Sequence, residues 1–239
     1  MMGMRVVLLV PRKADNGRRD EIWEWVEHEW LREHHPDWEI FEGRDDGETF
    51  SMGKARNDAA RAAGDWDVAV ILDSDTIAAP WAVKEAVRMA SISSKMVVAG
   101  DVRMRMDETS SNLIIDGGPW FPRPEGRHPK TGVVPETIYG EPSSGVIAVS
   151  RYLWDATGGY VENMKGWGWE DLVFITQCCV VGNGIDWVRD STLLHFYHDR
   201  PALTFDTSRN KAMYLELNHI ATRNKEGAKT YLRNRGHKW

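Results

Sequence analysis

Short apolar runs alternate with segments of helical periodicity along the first hundred residues. Three runs have the length and apolar content of buried strands: RVVLLVP (residues 5–11), DWEIFEG (37–43) and DVAVILD (67–73). Residues 18–35 and 52–64 lie between them and repeat apolar positions at helical spacing. This βαβαβ order predicts a parallel sheet with helices on its faces, and ligands of such sheets bind beyond the carboxyl ends of the strands.

The second half of the chain is less regular. Helices are expected at residues 80–91 and 169–182, and the basic C-terminal segment from residue 208 has weak helical periodicity. Strand-like segments also follow: residues 95–104, 143–151 and 186–198. Residues 116–142 are rich in Gly and Pro and are expected to form a long functional loop.

Length and composition are those of one large domain. The 239 residues are 42% hydrophobic, which is enough for a substantial core. The only cysteines, Cys178 and Cys179, are adjacent, so no disulfide framework is expected and a reducing cytoplasm is the natural setting. No apolar run approaches the roughly 18 residues of a membrane span.

The charge is unevenly distributed. The net charge of -6 gives the whole molecule no electrostatic reason to bind nucleic acid or an anionic membrane. Residues 211–239, however, carry seven Lys and Arg against two Glu, which leaves the remainder at -11. This basic segment is either a solvated helix face or a surface for a polyanion.

Two aspartates follow the third predicted strand in LDSDT. Asp73 and Asp75 are one residue apart at the point where the strand leaves the sheet. Such a pair can bind a hard divalent cation, one carboxylate directly and the other through water or a ribose hydroxyl. Helix capping is the alternative, because Asp is common in βα turns.

A second polar cluster closes the last strand-like segment in LLHFYHDR. His195 and His198 are three residues apart, beside Asp199. With Asp75 they would form a mixed nitrogen and oxygen site that suits Mn, Fe or Zn as well as Mg. Structural histidines, and the two-histidine, one-carboxylate site of an iron oxygenase, are the alternatives from the residues alone.

The segment GWGWEDLVF places an acid pair at a predicted helix start. Glu170 and Asp171 there would stabilise the helix dipole by about 0.3–1 kcal/mol. That interpretation leaves Trp167 and Trp169 unexplained. An indole between glycines suits stacking on a sugar ring, and an adjacent carboxylate can take a proton from a hydroxyl.

Basic residues near another helix start could bind phosphate. Lys54 and Arg56 lie in FSMGKARNDAAR, beyond a strand end, and helix N-termini favour anions. The alternative is an exposed surface.

Five motifs in order resemble the GT-A glycosyltransferases, most of all the β-1,4-galactosyltransferase type and the polypeptide N-acetylgalactosaminyltransferases. They span most of residues 6–210: VPRK, TFSMGKARN, LDSD, GWGWED and HFYHDR. The resemblance implies an α/β, Rossmann-like GT-A fold with a mostly parallel central sheet flanked by helices. It implies one domain, with a nucleotide-sugar half (1–100), an acceptor and catalytic half (101–207) and a basic helical tail (208–239).

Residue by residue, the resemblance implies a divalent metal, Mn²⁺ or else Mg²⁺, bound by Asp75, His195 and His198. His195 stands where the family has a methionine ligand. Asp171 would be the general base of an inverting transfer, and Glu170 would hold the acceptor hydroxyls.

The resemblance also implies a donor site that binds a UDP-sugar. Pro11, Arg12 and Lys54 would lie near the nucleotide or its phosphates, Asp73 near the ribose, and Trp167 over the donor sugar. Two departures concern this site: Met52 replaces a nucleotide-contacting arginine, and Trp169 replaces a glycine and would narrow the sugar pocket.

The acceptor is open between a glycan, a protein and a hydroxylated base of modified DNA, which the basic tail would attract. The chain lacks the membrane anchor of eukaryotic members, so a soluble bacterial or viral enzyme in the cytoplasm is expected. Outside this class, an Fe(II) oxygenase and a non-catalytic carbohydrate-binding module remain as alternatives.

Overall fold

Two β-sheets organise the computed structural model, which describes residues 3–118, 135–199 and 205–238. The strands in chain order are β1 (Val6–Pro11), β2 (Glu39–Gly43), β3 (Val68–Leu72), β4 (Thr76–Ile77), β5 (Met96–Val98), β6 (Val102–Met106), β7 (Pro135–Gly140), β8 (Val146–Ser150), β9 (Ile185–Trp187) and β10 (Thr192–His195). The helices are α1 (Arg18–Trp25), α2 (Arg32–His34), α3 (Met52–Ala63), α4 (Pro80–Ser91), α5 (Glu108–Ile115), α6 (Arg151–Thr157), α7 (Glu170–Val181), α8 (Phe205–Ala221) and α9 (Lys225–Arg233). A π-helical segment, Val26–Leu31, joins α1 to α2.

The larger sheet has the strand order β2-β1-β3-β8-β5-β9. Strand β1 pairs in parallel with β2 and β3, and β5 pairs in parallel with β9. Only β8 runs antiparallel to its neighbours among these strands. The predicted βαβαβ start and the mostly parallel central sheet are therefore confirmed. Every residue of β1 and β3 is buried, as expected for strands covered on both faces.

Helix α3 packs unusually closely on this sheet. A Cβ atom on Gly43 would lie 1.7 Å from the carbonyl oxygen of Ala55, so only glycine fits at the end of β2. Ala55 and Ala59 are fully buried at this contact. The close approach fixes α3 beside the carboxyl ends of β1 and β3, where the predicted ligand site lies.

The smaller sheet has the order β4-β10-β6-β7 and corrects two predictions. Residues 95–104 and 186–198 were each expected to form one strand, but each divides into two strands that belong to different sheets: β5 and β6, and β9 and β10. Both crossings occur together, where the Asp101 amide donates to the Ser191 carbonyl over 3.0 Å. Gly100 permits this approach, because a Cβ there would lie 2.8 Å from the same oxygen.

The predicted long loop at residues 116–142 is wrong over part of its length. Residues 135–140 form β7, which pairs antiparallel with β6. Residues 119–134 lie outside the described part of the chain. The short helices α5 and α6 were not predicted. Each begins at a side-chain cap, Asp107 for α5 and Ser150 for α6.

Helices α8 and α9 confirm the predicted helical tail and complete a second, smaller core against α7. Buried members of this core from the tail are Leu217, Ala228, Tyr231 and Leu232. The tail is therefore packed structure rather than an appendage. Over the described ranges, no helix is both long enough and apolar enough to cross a membrane.

Candidate metal and carboxylate site

A tight turn after β3 places the two predicted aspartates. The Asp73 amide donates to the Gly145 carbonyl over 2.8 Å, and the Thr76 amide donates back to the Asp73 carbonyl over 3.0 Å. The chain then enters β4, which pairs antiparallel with β10 so that Thr76 stands opposite His195. The Phe196 amide donates to the Asp75 carbonyl over 2.9 Å. Backbone pairing therefore sets Asp75 beside His195.

Asp75, His195 and His198 come together as predicted, in the geometry of a metal site. The Asp75 carboxylate lies 3.5 Å from His195 Nε2 and 3.0 Å from His198 Nε2. One ligand atom from each residue falls within 4.8 Å of the others. All three side chains are largely buried.

The electrostatics of this cluster suit a cation. Burial lowers the pKa of His195 to about 3, against the opposing charge of Asp75, so the imidazole is neutral and has a lone pair to offer. Burial raises the pKa of Asp75, but the two histidines outweigh it and hold that pKa well below its usual range. His198 Nδ1 lies 2.8 Å from the Asp199 carbonyl and 3.2 Å from Arg19 Nη2, which orients the ring. One carboxylate and two oriented imidazoles fit a divalent transition metal.

A buried arginine, Arg56, joins Asp73 to the acid pair. Arg56 Nη2 donates to Asp73 Oδ1 over 2.9 Å, and Nη1 donates to Asp171 Oδ1 over 2.6 Å. Glu170 Oε1 lies 3.8 Å from the same Nη1. The guanidinium sits over the Tyr160 ring at 4.6 Å. Three carboxylates thus share one cation beside the metal cluster.

The two acids of the pair differ in environment. The Glu170 side chain is 8% exposed and that of Asp171 is 19% exposed. Burial and the neighbouring Asp171 raise the pKa of Glu170 to about 7, although Arg56 opposes them. Glu170 is therefore protonated in a large share of molecules at neutral pH, and Asp171 is the more accessible carboxylate.

Helix α7 begins at Glu170, one residue after the predicted start, and follows a loop with unusual backbone. Gly166, Gly168 and Trp169 all have positive φ, at 73°, 96° and 76°. Trp167 is 46% exposed on this loop. Trp169, by contrast, stacks on Tyr214 of α8 at a centroid distance of 5.5 Å. Trp169 therefore packs against the C-terminal helices, and its effect on a sugar pocket stays a prediction.

The tryptophan loop is held at two points. The Gly166 amide donates to the Phe50 carbonyl over 3.0 Å. Asn210 of α8 is buried, and its Nδ2 donates to the carbonyls of Lys165 and Gly168 over 2.8 and 3.3 Å. Trp167 is thus the exposed side chain of a loop whose backbone is anchored on both sides.

The remaining predicted residues lie outside the Asp75 and Arg56 clusters. Pro11 is buried at the end of β1. Arg12 is ion-paired with Asp20 at 2.7 Å and with Glu42 at 3.1 Å. Lys54 points along α3 to Asp58 at 3.0 Å.

Two contacts in the site were missed. Arg56 was expected at phosphates, but it binds carboxylates, because its helix packs against the turn that carries Asp73. Arg19 reaches His198 from α1, across 179 residues of sequence, and no local signal marks such a pairing. The sequence clue to this role of Arg56 is its position in the second turn of a helix that follows a strand.

The most evident cavity in the described structure, of about 500 Å³, lies elsewhere. It is lined by α3 and α6 residues such as Arg61 and Trp154 and by the C-terminal residues His237 and Lys238. None of the metal-cluster residues or the acid pair lines it. The cavity and the two buried polar clusters are therefore separate features of the structure.

No protein-family model matches the sequence, and no curated protein matches it. Solved structures do match. The catalytic domain of Drosophila β1,4-galactosyltransferase 7 with xylobiose is 16% identical, with 87% of this chain and 80% of that chain covered and a TM-score of 0.51. A variant of that enzyme with manganese, UDP-Gal and xylobiose gives 14% identity, the same coverage and the same TM-score.

A third structure, GalNAc-T7 with UDP, GalNAc and Mn²⁺, is 13% identical, with a TM-score of 0.52 over 90% of this chain. The chain spans about half of that protein, 48% of its length. At these identities the likeness establishes the fold. The chain therefore has the GT-A fold that these glycosyltransferases share, as the sequence resemblance predicted.

Proposed function

We propose that the chain is a metal-dependent, inverting glycosyltransferase that moves a sugar from a nucleoside diphosphate sugar to an acceptor hydroxyl. One observation carries the proposal: a cluster fit for a divalent metal includes Asp75, two residues after Asp73, and Arg56 joins Asp73 to the acid pair. Both groups lie near the carboxyl end of β3 in a chain with the GT-A fold. Transfer of a sugar from a diphosphate requires these two functions, charge neutralisation of the leaving group and proton removal from the acceptor.

The metal proposed for Asp75, His195 and His198 is Mn²⁺, with Mg²⁺ as the alternative. Two imidazoles beside one carboxylate suit a transition metal better than Mg²⁺, which prefers oxygen ligands. The similar structures were solved with manganese and UDP-Gal, and with UDP and Mn²⁺. When bound, such an ion supplies Lewis-acid stabilisation of the departing diphosphate.

Asp171 is proposed as the general base. Its side chain is the more exposed of the acid pair, and it lies at the start of α7, beside the tryptophan loop. It would accept the proton of the attacking hydroxyl, a contribution of about 10² to 10⁴ in rate. Glu170, with a pKa of about 7, can donate a hydrogen bond to an acceptor oxygen when protonated and accept one when ionised.

The donor is proposed to be a UDP-sugar. Asp73, beside the metal cluster, would bind the ribose, and the exposed Trp167 would cover the sugar and exclude water. Pro11, Arg12 and Lys54 are proposed for the nucleotide end. Arg12 and Lys54 are ion-paired with acids, so nucleotide phosphates would compete with those acids for them.

The acceptor is proposed to lie on the side of helices α8 and α9. Lys211 Nζ sits 5.5 Å from the Trp169 ring, so the basic tail is continuous with the loop beside the acid pair. This contiguity favours an anionic acceptor, of which a hydroxylated base in modified DNA is the candidate the charge supports; a glycan or a protein is the alternative. Truncation of the tail would uncover the buried Leu217, so substitutions are the better test.

A panel of nucleotide sugars tests the proposal. With Mn²⁺ present, the purified protein should hydrolyse one UDP-sugar of the panel, or that UDP-sugar should raise its melting temperature. EDTA should abolish either effect. Asp171→Asn should keep nucleotide binding while transfer falls at least about a hundredfold. An iron oxygenase would instead consume O₂ with Fe(II) and an oxoacid, and a carbohydrate-binding module would bind sugar with no affinity for any nucleotide.

A further inference from the structure

We propose that Arg56 is a positioning residue that holds the base and the nucleotide-side carboxylate in a single arrangement. The inference rests on the proposed function, because it takes Asp171 as the base. In the described structure Arg56 binds the side chains of Asp171 and Asp73, and it contacts none of the three residues of the proposed metal site. It would act through Asp171 and Asp73.

The guanidinium is fixed from several sides. Its side chain is 2% exposed, and each terminal nitrogen serves a different carboxylate: Nη1 binds Asp171 at 2.6 Å, and Nη2 binds Asp73 at 2.9 Å. Its face lies on the Tyr160 ring, which stacks in turn on Phe174 at 4.2 Å. Stacking on an aromatic ring and two charged hydrogen bonds hold the guanidinium in this orientation.

The three groups come from separate parts of the fold. Arg56 lies on α3, Asp73 on the turn after β3, and Asp171 in the first turn of α7. In the described part of the chain, no other side chain bonds to both Asp171 and Asp73. The distance between the proposed base and the nucleotide side of the site is therefore set by one planar cation.

The charges around Arg56 also support its role in positioning Asp171. Asp73, Glu170 and Asp171 would repel one another in a buried site if the cation were absent, and a buried carboxylate left without its partner is costly. The Asp171 carboxylate would then turn toward solvent, away from the acceptor hydroxyl. A misplacement of about 1 Å at a reacting group costs roughly a hundredfold in rate.

Lysine is not an adequate replacement. Its ammonium is a single point of charge on a flexible stem, whereas the arginine fork offers two directed nitrogens at a fixed separation. Arg56→Lys keeps the charge and the folded core, and it gives up one of the two carboxylates. This substitution therefore isolates positioning from charge balance.

The first test compares Arg56→Lys with Arg61→Lys in the transfer assay. Arg61 is a matched control on the same helix: it also pairs with acids, Asp58 and Glu162, but it is 51% exposed. We expect kcat of Arg56→Lys to fall by roughly 10-fold to 100-fold, with the melting temperature close to wild type, and Arg61→Lys to stay within about twofold. A kcat for Arg56→Lys within twofold of wild type would overturn the inference.

A double-mutant cycle separates positioning from a general structural effect. In the Asp171→Asn background the base is already absent, so adding Arg56→Lys should lower kcat by much less than the roughly 10-fold to 100-fold expected in the wild-type background, and only the part that acts through Asp73 should remain. A full additional loss in the double variant would show that Arg56 does not act through Asp171. Failure of the wild-type chain to transfer any sugar would instead refute the proposed function, so the two failures are distinguishable.

Discussion

Replacing Asp75 by asparagine should remove metal binding while leaving the fold intact. Asparagine has the shape of aspartate, and the Asp75 backbone contact to the Phe196 amide does not depend on the side chain. The substitution removes the only carboxylate of the three-residue cluster and leaves two histidines. Two neutral imidazoles and an amide oxygen bind a divalent ion much more weakly than a set that includes a carboxylate.

The expected magnitude follows from linkage. An ion present at 100 times its dissociation constant stabilises the folded state by about 2.7 kcal/mol. At about 2–4 °C per kcal/mol for a domain of this size, Mn²⁺ should raise the wild-type melting temperature by roughly 5–11 °C. The metal-free variant also loses the 3.0 Å contact between His198 and the carboxylate, at a cost of about 1–3 kcal/mol.

Thermal unfolding with and without Mn²⁺, followed by circular dichroism, measures both effects. The Asp75→Asn variant should melt below wild type without metal and should shift by less than about 2 °C when Mn²⁺ is added. Asp186→Asn is the control, because Asp186 is also an ion-paired aspartate, with Lys95 at 2.8 Å, but lies outside the cluster. Equal Mn²⁺ shifts in wild type and in Asp75→Asn would refute the assignment of the site.

Three further predictions concern the acid pair, the loop and the tail. Because the pKa of Glu170 is raised to about 7, the folded state holds that proton more tightly than the unfolded chain does. The free energy of unfolding should therefore fall by about 3 kcal/mol between pH 4.5 and 8. Urea titrations at several pH values should show that Glu170→Gln flattens this fall. Asn210→Ala should cost about 1–3 kcal/mol in the same titrations, because the Lys165 and Gly168 carbonyls lose their amide donor. It should also speed amide exchange of Gly166, whose N–H donates to the Phe50 carbonyl in the same loop, and unchanged exchange would argue against the anchor. Charge reversal at the exposed Arg209 and Lys225 should weaken salt-dependent DNA binding while transfer to a small acceptor persists, and a wild-type chain with no DNA affinity would leave glycans or proteins as the acceptor.

The features that could be predicted best are those that depend on a single segment of the sequence. Strands β1 and β3 are uninterrupted apolar runs, so their burial on both faces could be predicted. The start of α7 at Glu170 was marked by its glycines and acids. Asp75, His195 and His198 could be grouped because two short motifs and a family resemblance pointed to one metal.

What could not be predicted depends on contacts between distant segments. The two-residue strand β4 has no pattern of its own and exists through its pairing with β10. Residues 95–104 read as one strand because Gly100 gives no hint that the chain changes sheets there. The stacking of Trp169 on Tyr214, 45 residues later, could not be predicted, because no local pattern links the two rings.

The pairing of β4 with β10 has a consequence for how the chain holds together. It brings residues 75 and 195 into contact. The two cysteines of the sequence, Cys178 and Cys179, are free thiols. An ion bound there would act as a reversible cross-link between two positions about 120 residues apart, and it would stabilise the folded state because the site exists only in that state. Chelation would then loosen the smaller sheet even with no substrate present, and protease resistance of this region would report the occupancy of the site.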